Sequence, residues 1–136
     1  AQAQDAGLAG RVRFLGVVHN SDLPAFMNAL DVFVLPSETR PNWREQFGRV
    51  LVEAMSCGVA TIGSDSGEIP TVLGDAGLVF PEGDALALAD HLRALLQDSA
   101  LRHGLALKGR QRVMSLFSTE QVAAQHYAVY RGLATE

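Results

Sequence analysis

Short continuous apolar runs alternate along the chain with stripes of apolar positions spaced three and four residues apart. Runs without polar alternation are typical of strands covered on both faces, as in parallel sheets. The spaced stripes are typical of helices packed on one face. The runs predict four strands, at residues 12–15, 32–35, 60–63 and 78–80.

The clearest helical stripe lies near the middle of the chain. It comprises Phe47, Val50, Leu51, Ala54 and Met55. Gly58 follows it and is a natural C-terminal stop for a helix. Further stripes predict helices at residues 23–30 and 69–73, and three more helices after residue 84. This alternation of strands and helices predicts an α/β domain with a parallel sheet.

The start of the chain departs from this pattern. Residues 1–10 have no apolar period and are interpreted as a tail or linker, which leaves residues 11–136 as one domain. Four strands are few for an open parallel sheet, and the domain begins almost directly at a strand. We therefore expect further strands to precede residue 1.

Composition narrows the possible classes of function. The 136 residues carry 11 basic and 15 acidic side chains, a formal net charge of −4, which indicates no general affinity for nucleic acid or anionic lipid. A single cysteine excludes an internal disulfide, and the four histidines lack metal-ligand spacing. Because no signal peptide or membrane-spanning run is evident, we expect a soluble, cytoplasmic protein.

The candidate site follows the second predicted strand. In open parallel sheets, ligands bind beyond the carboxyl ends of strands, where helices begin. Here residues 32–35 lead through a polar loop, 37–44, to the start of the clearest helix. A helix N-terminus offers free N–H groups and a partial positive charge that suit phosphate. Gly48 would let a ligand approach the backbone closely.

Two acidic residues, Glu45 and Glu53, flank this helix start. If the whole segment were helical, they would be separated by about 12 Å along the axis and about 80° around it. A nucleoside diphosphate sugar has a comparable length, so one carboxylate would reach sugar hydroxyls and the other the ribose hydroxyls. Carboxylates suit vicinal diols because they accept several hydrogen bonds. The alternative is that both are solvated helix glutamates, and spacing alone leaves it open.

The same segment, EQFGRVLVEAMSCGVA at residues 45–60, resembles the signature of group 1 glycosyltransferases, also called glycosyltransferase family 4. That signature is Glu, seven residues, Glu, then Ala-Met, a small residue, a further residue that is often Cys, and Gly. The resemblance continues over residues 11–16, 23–37, 64–70, 77–81 and 117–118. It covers nearly the whole chain, from about residue 11 to residue 133.

The resemblance implies a fold and a reaction. The family has two Rossmann-like domains facing across a cleft, the GT-B fold, with a three-layer parallel sheet and helices on both faces. The chain would be an incomplete C-terminal domain that binds the nucleotide-sugar donor, while an N-terminal domain preceding residue 1 would bind the acceptor. The implied reaction transfers a sugar with retention of configuration, without a cofactor and usually without a metal.

The resemblance also assigns roles to individual residues. Glu45 would contact the donor sugar and Glu53 the ribose. The backbone amides of four consecutive residues would contact sugar and phosphate oxygens: Phe47, Gly48, Arg49 and Val50. The loop that contacts the nucleobase would fall at Gly16, Val17 and Val18, and the donor pocket would be walled by Ser66 and Gly67.

Two features leave alternatives open. The loop at residues 37–44 is longer than in the family, and its Arg40, Trp43 and Arg44 would either contact acceptor or the missing domain, or simply be exposed. The basic pair that family members use precedes residue 1, so we expect the chain to be inactive alone. The competing functions are a non-catalytic nucleotide-binding or interaction module and a nucleotide-sugar epimerase of the same fold.

Overall fold

A computed structural model describes residues 2–133. Within them, three strands and seven helices occur in this order: α1 (Gln2–Asp5), α2 (Leu23–Asn28), β1 (Val32–Leu35), α3 (Arg49–Ser56), β2 (Ala60–Ser64), α4 (Ile69–Leu73), β3 (Leu78–Phe80), α5 (Ala85–Gln97), α6 (Ser99–Leu116) and α7 (Thr119–Leu133). The alternation of strands and helices predicted from the apolar pattern is confirmed from residue 23 onward.

The three strands form one parallel sheet in the order β1-β2-β3. Ala60 pairs with Val32 on one side of the central strand, and Ile62 pairs with Leu78 on the other. All five residues of β2 are buried, as a strand covered on both faces requires. Because the strands are parallel, their carboxyl ends meet at one edge of the sheet, which we call the carboxyl edge.

Alternate side chains of each strand pack on opposite faces of the sheet. Phe33 and Leu35 pack with α3, α4 and the second half of α6, in a core whose buried members are Leu51, Met55, Ile69, Val72, Leu73 and Val113. Val32 and Val34 pack on the opposite face, with α5 and the first half of α6, around Ile62, Leu95 and Leu105. Helices therefore cover both faces, and the predicted three-layer α/β fold is confirmed.

The predicted strand at residues 12–15 is wrong. This segment has no strand pairing, and its Phe14 side chain is 90% exposed. An apolar run becomes a strand only when a neighbouring edge accepts its backbone hydrogen bonds, and no described residue pairs with it. Residues 2–5 form one helical turn, and residue 1 lies outside the described residues, so the tail or linker at 1–10 stays a prediction.

Candidate functional site

A left-handed turn starts helix α3 at the carboxyl edge of the sheet. Gly48, the N-cap residue, has φ +77° and ψ +50° and is buried. A Cβ at this position would lie 3.0 Å from Leu51 Cδ1 and 3.4 Å from Leu35 Cδ2. Backbone conformation and packing therefore both favour glycine here. The helix start predicted near Phe47 is confirmed, with the first helical residue at Arg49.

Glu45 lies before this turn, outside the helix. Its Oε1 accepts hydrogen bonds from the Gly48 amide at 2.9 Å and the Phe47 amide at 3.4 Å. The assumption that the segment from Glu45 to Glu53 is wholly helical is wrong, because the left-handed Gly48 interrupts it. Two of the amides assigned to the donor are thus satisfied by a carboxylate of the chain itself.

Glu53 lies on the second turn of α3 and faces a different cavity. Its Oε1 accepts a hydrogen bond from Arg49 Nε at 2.9 Å, and its side chain is 29% exposed. The cavity has a volume of about 270 Å³ and lies between α2 and α3, where Asn20, Met27 and Cys57 also line it. We call it the α2–α3 cavity.

Glu45 borders a larger cavity of about 940 Å³, lined by the loop at residues 37–44, Gly67 and Glu68. We call it the loop cavity. Glu53 does not line it, so among the described residues the two acids border separate hollows on either side of the Gly48 turn. This arrangement replaces the single hollow expected from their spacing.

The loop after β2 packs directly against Glu45. Gly67 has φ +56°, and a Cβ there would lie 1.8 Å from the Glu45 carbonyl oxygen. The Glu68 amide donates a hydrogen bond to that oxygen at 3.2 Å. Ser66 is fully buried, and its hydroxyl lies 3.0 Å from the Thr39 hydroxyl. Gly67 therefore contacts Glu45 and lines the loop cavity, whereas Ser66 is buried beside Thr39. The role of these two residues as walls of a donor pocket stays a prediction.

Val17 and Val18 are not brought to either cavity. Val17 is 90% exposed in an irregular segment, and neither valine lines the α2–α3 cavity or the loop cavity. The nearby Asn20 does line the α2–α3 cavity. The contact of Val17 and Val18 with a nucleobase stays a prediction.

Sequence reasoning missed a polar cluster that joins the ends of all three strands. Thr39 donates to the Glu82 carboxylate twice, from its amide at 2.5 Å and its hydroxyl at 2.6 Å. The Glu82 amide donates to Asp65 Oδ1 at 2.7 Å. We call these residues, with Ser66, the Glu82 cluster. Thr39 and Glu82 are 43 residues apart, so no local spacing signals the contact.

The Glu82 cluster makes folding stability depend on pH. Hydrogen bonds from the Thr39 hydroxyl, and then from the Thr39 amide, hold the pKa of the Glu82 carboxyl below its ordinary value of 4.5. A carboxyl with a depressed pKa stabilises the folded state above its unfolded pKa, and this stabilisation is lost as pH falls through the folded pKa.

We therefore expect Glu82→Gln to be less stable than the unmodified chain at neutral pH, with the difference shrinking as pH falls below 4.5. Urea unfolding at a series of pH values measures this difference. Asp75→Asn is the control and should give a small difference, because the Asp75 side chain is 81% exposed. A pH-independent difference for Glu82→Gln would contradict the predicted linkage.

Comparison with known proteins identifies the family. The family model for "Glycosyl transferases group 1" matches residues 1–112. The chain belongs to this family. It is 38% identical over 136 residues to a phosphatidyl-myo-inositol mannosyltransferase of Mycobacterium leprae, a match that covers 98% of this chain and 35% of that protein. It is 37% identical over 122 residues to O-antigen chain mannosyltransferase B of Escherichia coli, covering 90% of this chain and 30% of that one.

Solved structures agree with this membership of the group 1 glycosyltransferases. Sucrose-phosphate synthase of Thermosynechococcus elongatus superposes with a TM-score of 0.84 at 35% identity, over 98% of this chain and 33% of that one. HepE of Anabaena, solved in complex with UDP-glucose, gives a TM-score of 0.81 at 26% identity, over 99% of this chain and 35% of that one. These neighbours are GT-B glycosyltransferases, which confirms the expected fold class.

The group 1 chain spans about a third of the length of the curated relatives it matches. It also superposes, with a TM-score of 0.76 at 28% identity, on the C-terminal domain of the group 1 protein LpcC from Francisella tularensis, over 87% of this chain and 60% of that one. No helix within residues 2–133 has the length and apolar character needed to cross a membrane.

Proposed function

We propose that this chain binds a nucleoside diphosphate sugar and is the donor-binding part of a retaining glycosyltransferase. The observation that carries the proposal is the Gly48 turn, which presents the start of α3 between two cavities, each bordered by one acid of the group 1 signature. A relative solved with UDP-glucose gives independent support for this class of ligand.

In the proposed complex, the nucleoside occupies the α2–α3 cavity. The half-buried Glu53 carboxylate accepts hydrogen bonds from the ribose hydroxyls there. The diphosphate crosses the Gly48 turn and receives the amides of Phe47 and Gly48 together with the partial positive charge of α3. The exposed guanidinium of Arg49 adds a cation beside it.

The sugar then lies on the Glu45 side of the turn. Because the Glu45 carboxylate accepts hydrogen bonds from the Phe47 and Gly48 amides, it has to rotate away for the diphosphate to receive those amides. Once displaced, it is free to accept hydrogen bonds from the sugar hydroxyls. Glu45 therefore exchanges two backbone partners for two ligand hydroxyls.

The proposed reaction breaks the bond between the anomeric carbon and the diphosphate oxygen and forms a bond from that carbon to an acceptor oxygen. The nucleoside diphosphate leaves with the bonding electron pair, and its departing oxygen takes the proton that the acceptor hydroxyl loses. Preorganised amides at the Gly48 turn would stabilise the charge that develops on the leaving diphosphate. The proposal includes no metal ion, so adding a chelator should leave donor affinity unchanged.

The test of donor binding is calorimetric titration with UDP-, GDP- and ADP-sugars. Glu53→Ala should weaken the preferred donor about 10- to 100-fold, because hydrogen bonds to a charged acceptor contribute about 1.5–3 kcal/mol each. Glu120→Ala, an exposed acid on α7, is the matched control and should leave the affinity unchanged. If no nucleotide sugar binds, or Glu53→Ala has no effect, the proposed donor site is wrong.

Sugar transfer requires more of the protein than donor binding does. We expect no sugar transfer by this chain alone, because it spans about a third of the catalytically named relatives. Incubation with labelled nucleotide sugars and a panel of acceptors tests this expectation. Product formed by the chain itself would contradict it, whereas donor binding without product is the outcome we expect.

A further inference from the structure

The loop at residues 37–44 carries a preformed hairpin turn. Arg40 and Trp43 form an antiparallel bridge, with backbone N–H···O distances of 2.8 and 3.1 Å in the two directions. Pro41 and Asn42 stand between them, and the proline ring restricts the turn further. Backbone hydrogen bonds of the loop itself thus hold the turn that carries Trp43, although the sequence left open a merely exposed loop.

The base of the hairpin is tied to the sheet. Thr39, next to the turn, bonds Glu82 after β3 and Ser66 after β2. Further back, the Ser64 hydroxyl donates to the Ser37 carbonyl at 2.6 Å. These bonds connect the loop to two other strand ends, so the hairpin keeps a defined position over the carboxyl edge.

Trp43 is the single tryptophan of the chain, and it is 51% exposed on the wall of the loop cavity. A rigidly presented, half-exposed indole beside a polar cavity has an apolar face that water solvates poorly. Aromatic side chains are common in the lining of small-molecule sites. Sugar rings suit it, because their C–H faces pack on the indole while their hydroxyls stay available for hydrogen bonds.

The other side chains that line the loop cavity supply both hydrogen-bond donors and hydrogen-bond acceptors. Asn42 and Gln46 offer amides, each with donors and an acceptor. Two arginines are balanced by two acids, Glu45 and Glu68, so the lining has no excess charge. This balance favours a neutral polyhydroxylated ligand over a phosphorylated one, which would call for a surplus of cations. A volume of about 940 Å³ leaves room for more than one sugar ring.

We propose that the loop cavity is a carbohydrate acceptor subsite, in which the Trp43 indole stacks against a ring of a neutral sugar. The inference rests on the proposed donor site, because Glu45 and Gly67 border both that site and the loop cavity. An acceptor ring on Trp43 would place its hydroxyls on the same side of the Gly48 turn as the donor sugar. Trp43 is thus a specificity-determining residue that positions the acceptor.

The intrinsic fluorescence of the chain tests this directly, because all tryptophan emission comes from Trp43. Methyl hexopyranosides and reducing-end-blocked disaccharides are titrated separately from UDP and GDP. We expect at least one sugar to give a saturable blue shift, with a Kd of about 1–10 mM, and disaccharides to bind more tightly than monosaccharides. Nucleotides alone should leave the emission nearly unchanged.

Two outcomes would overturn the subsite. One is the absence of any saturable sugar response; the other is a shift caused by UDP or GDP without one caused by sugar, which would place the hairpin at the nucleotide instead. Failure of the donor proposal gives a different result: nucleotide sugars then show no binding by calorimetry, whatever the fluorescence does with neutral sugars.

Substitutions at Trp43 distinguish a direct contact with the sugar from a general effect on folding. Trp43→Ala should weaken sugar binding at least fivefold, as measured by ligand-observed NMR. Trp43→Phe should recover part of this loss, because an aromatic face remains. Both should keep UDP- or GDP-sugar affinity within about twofold, a range of about 0.4 kcal/mol. Tyr127→Ala, an aromatic 64% exposed on α7, is the matched control and should change neither affinity. Equal loss of sugar and nucleotide affinity in Trp43→Ala would contradict the assignment.

Discussion

Gly67→Ala is expected to destabilise the chain by about 2–4 kcal/mol and to weaken donor binding at least tenfold. The added methyl group would lie 1.8 Å from the Glu45 carbonyl oxygen, a backbone atom that cannot move without moving the site. The residue also has φ +56°, a conformation that costs alanine about 1 kcal/mol. Either the loop after β2 or the Glu45 segment must therefore shift.

Gly58→Ala is the matched control for this effect. Gly58 has a similar φ of +71°, but a Cβ there meets nothing within 4 Å. Gly58→Ala should lower the free energy of unfolding only by the cost of its backbone conformation, about 1 kcal/mol, and should keep its donor affinity. Urea unfolding and calorimetry on the two variants isolate the clash. Equal effects on stability and affinity in both would show that close packing of Gly67 on Glu45 is unimportant.

Leu51→Ala is expected to lower the free energy of unfolding by about 3–5 kcal/mol, a large part of the 5–15 kcal/mol typical of a domain. Leu51 is fully buried in the core between α3, α4 and α6, and its Cδ1 would be the nearest atom to a Cβ on Gly48. The cavity left by truncation would lie directly beneath the turn that begins α3.

Leu86→Ala, on α5 with 79% of the leucine exposed, is the matched control and should change stability by less than about 0.5 kcal/mol. Urea unfolding gives both values. The Leu51 variant should also bind donor somewhat less tightly under conditions where it remains folded, because the Gly48 turn loses its support. If Leu51→Ala lowered the free energy of unfolding by less than about 1 kcal/mol, the surrounding helices would have to collapse into the cavity that the substitution leaves.

The sequence predicted those features that depend on short-range pattern. Each of the strands β1 to β3 was visible as an apolar run, and α5 begins after residue 84, where Asp84 accepts hydrogen bonds from the Leu86 and Ala87 amides. Gly58 ends α3 in a left-handed conformation, as its position indicated. These signals lie within a few residues of the structure they specify.

The failures have a different physical origin. An apolar run at residues 12–15 indicates a tendency to be buried but does not supply a partner edge. The helical spacing of Glu45 and Glu53 assumed a continuous helix, yet a single left-handed glycine between them turned Glu45 back onto the Phe47 and Gly48 amides. The Glu82 cluster depends on strands brought together by the sheet, which spacing along the chain cannot show.

The bond between Glu45 and the amides of its own turn gives the proposed site an internal competitor. Because the Glu45 carboxylate is tethered next to these amides, its effective concentration there is high. Inorganic phosphate or another small anion must displace the carboxylate in order to bind. Such an anion offers the displaced carboxylate no hydrogen-bond donors in return. A donor that carries a sugar recovers those hydrogen bonds through its hydroxyls. The turn would thus disfavour small anions while still admitting a sugar-bearing diphosphate, a selectivity that comes from the hydrogen bonds of Glu45 to its own turn.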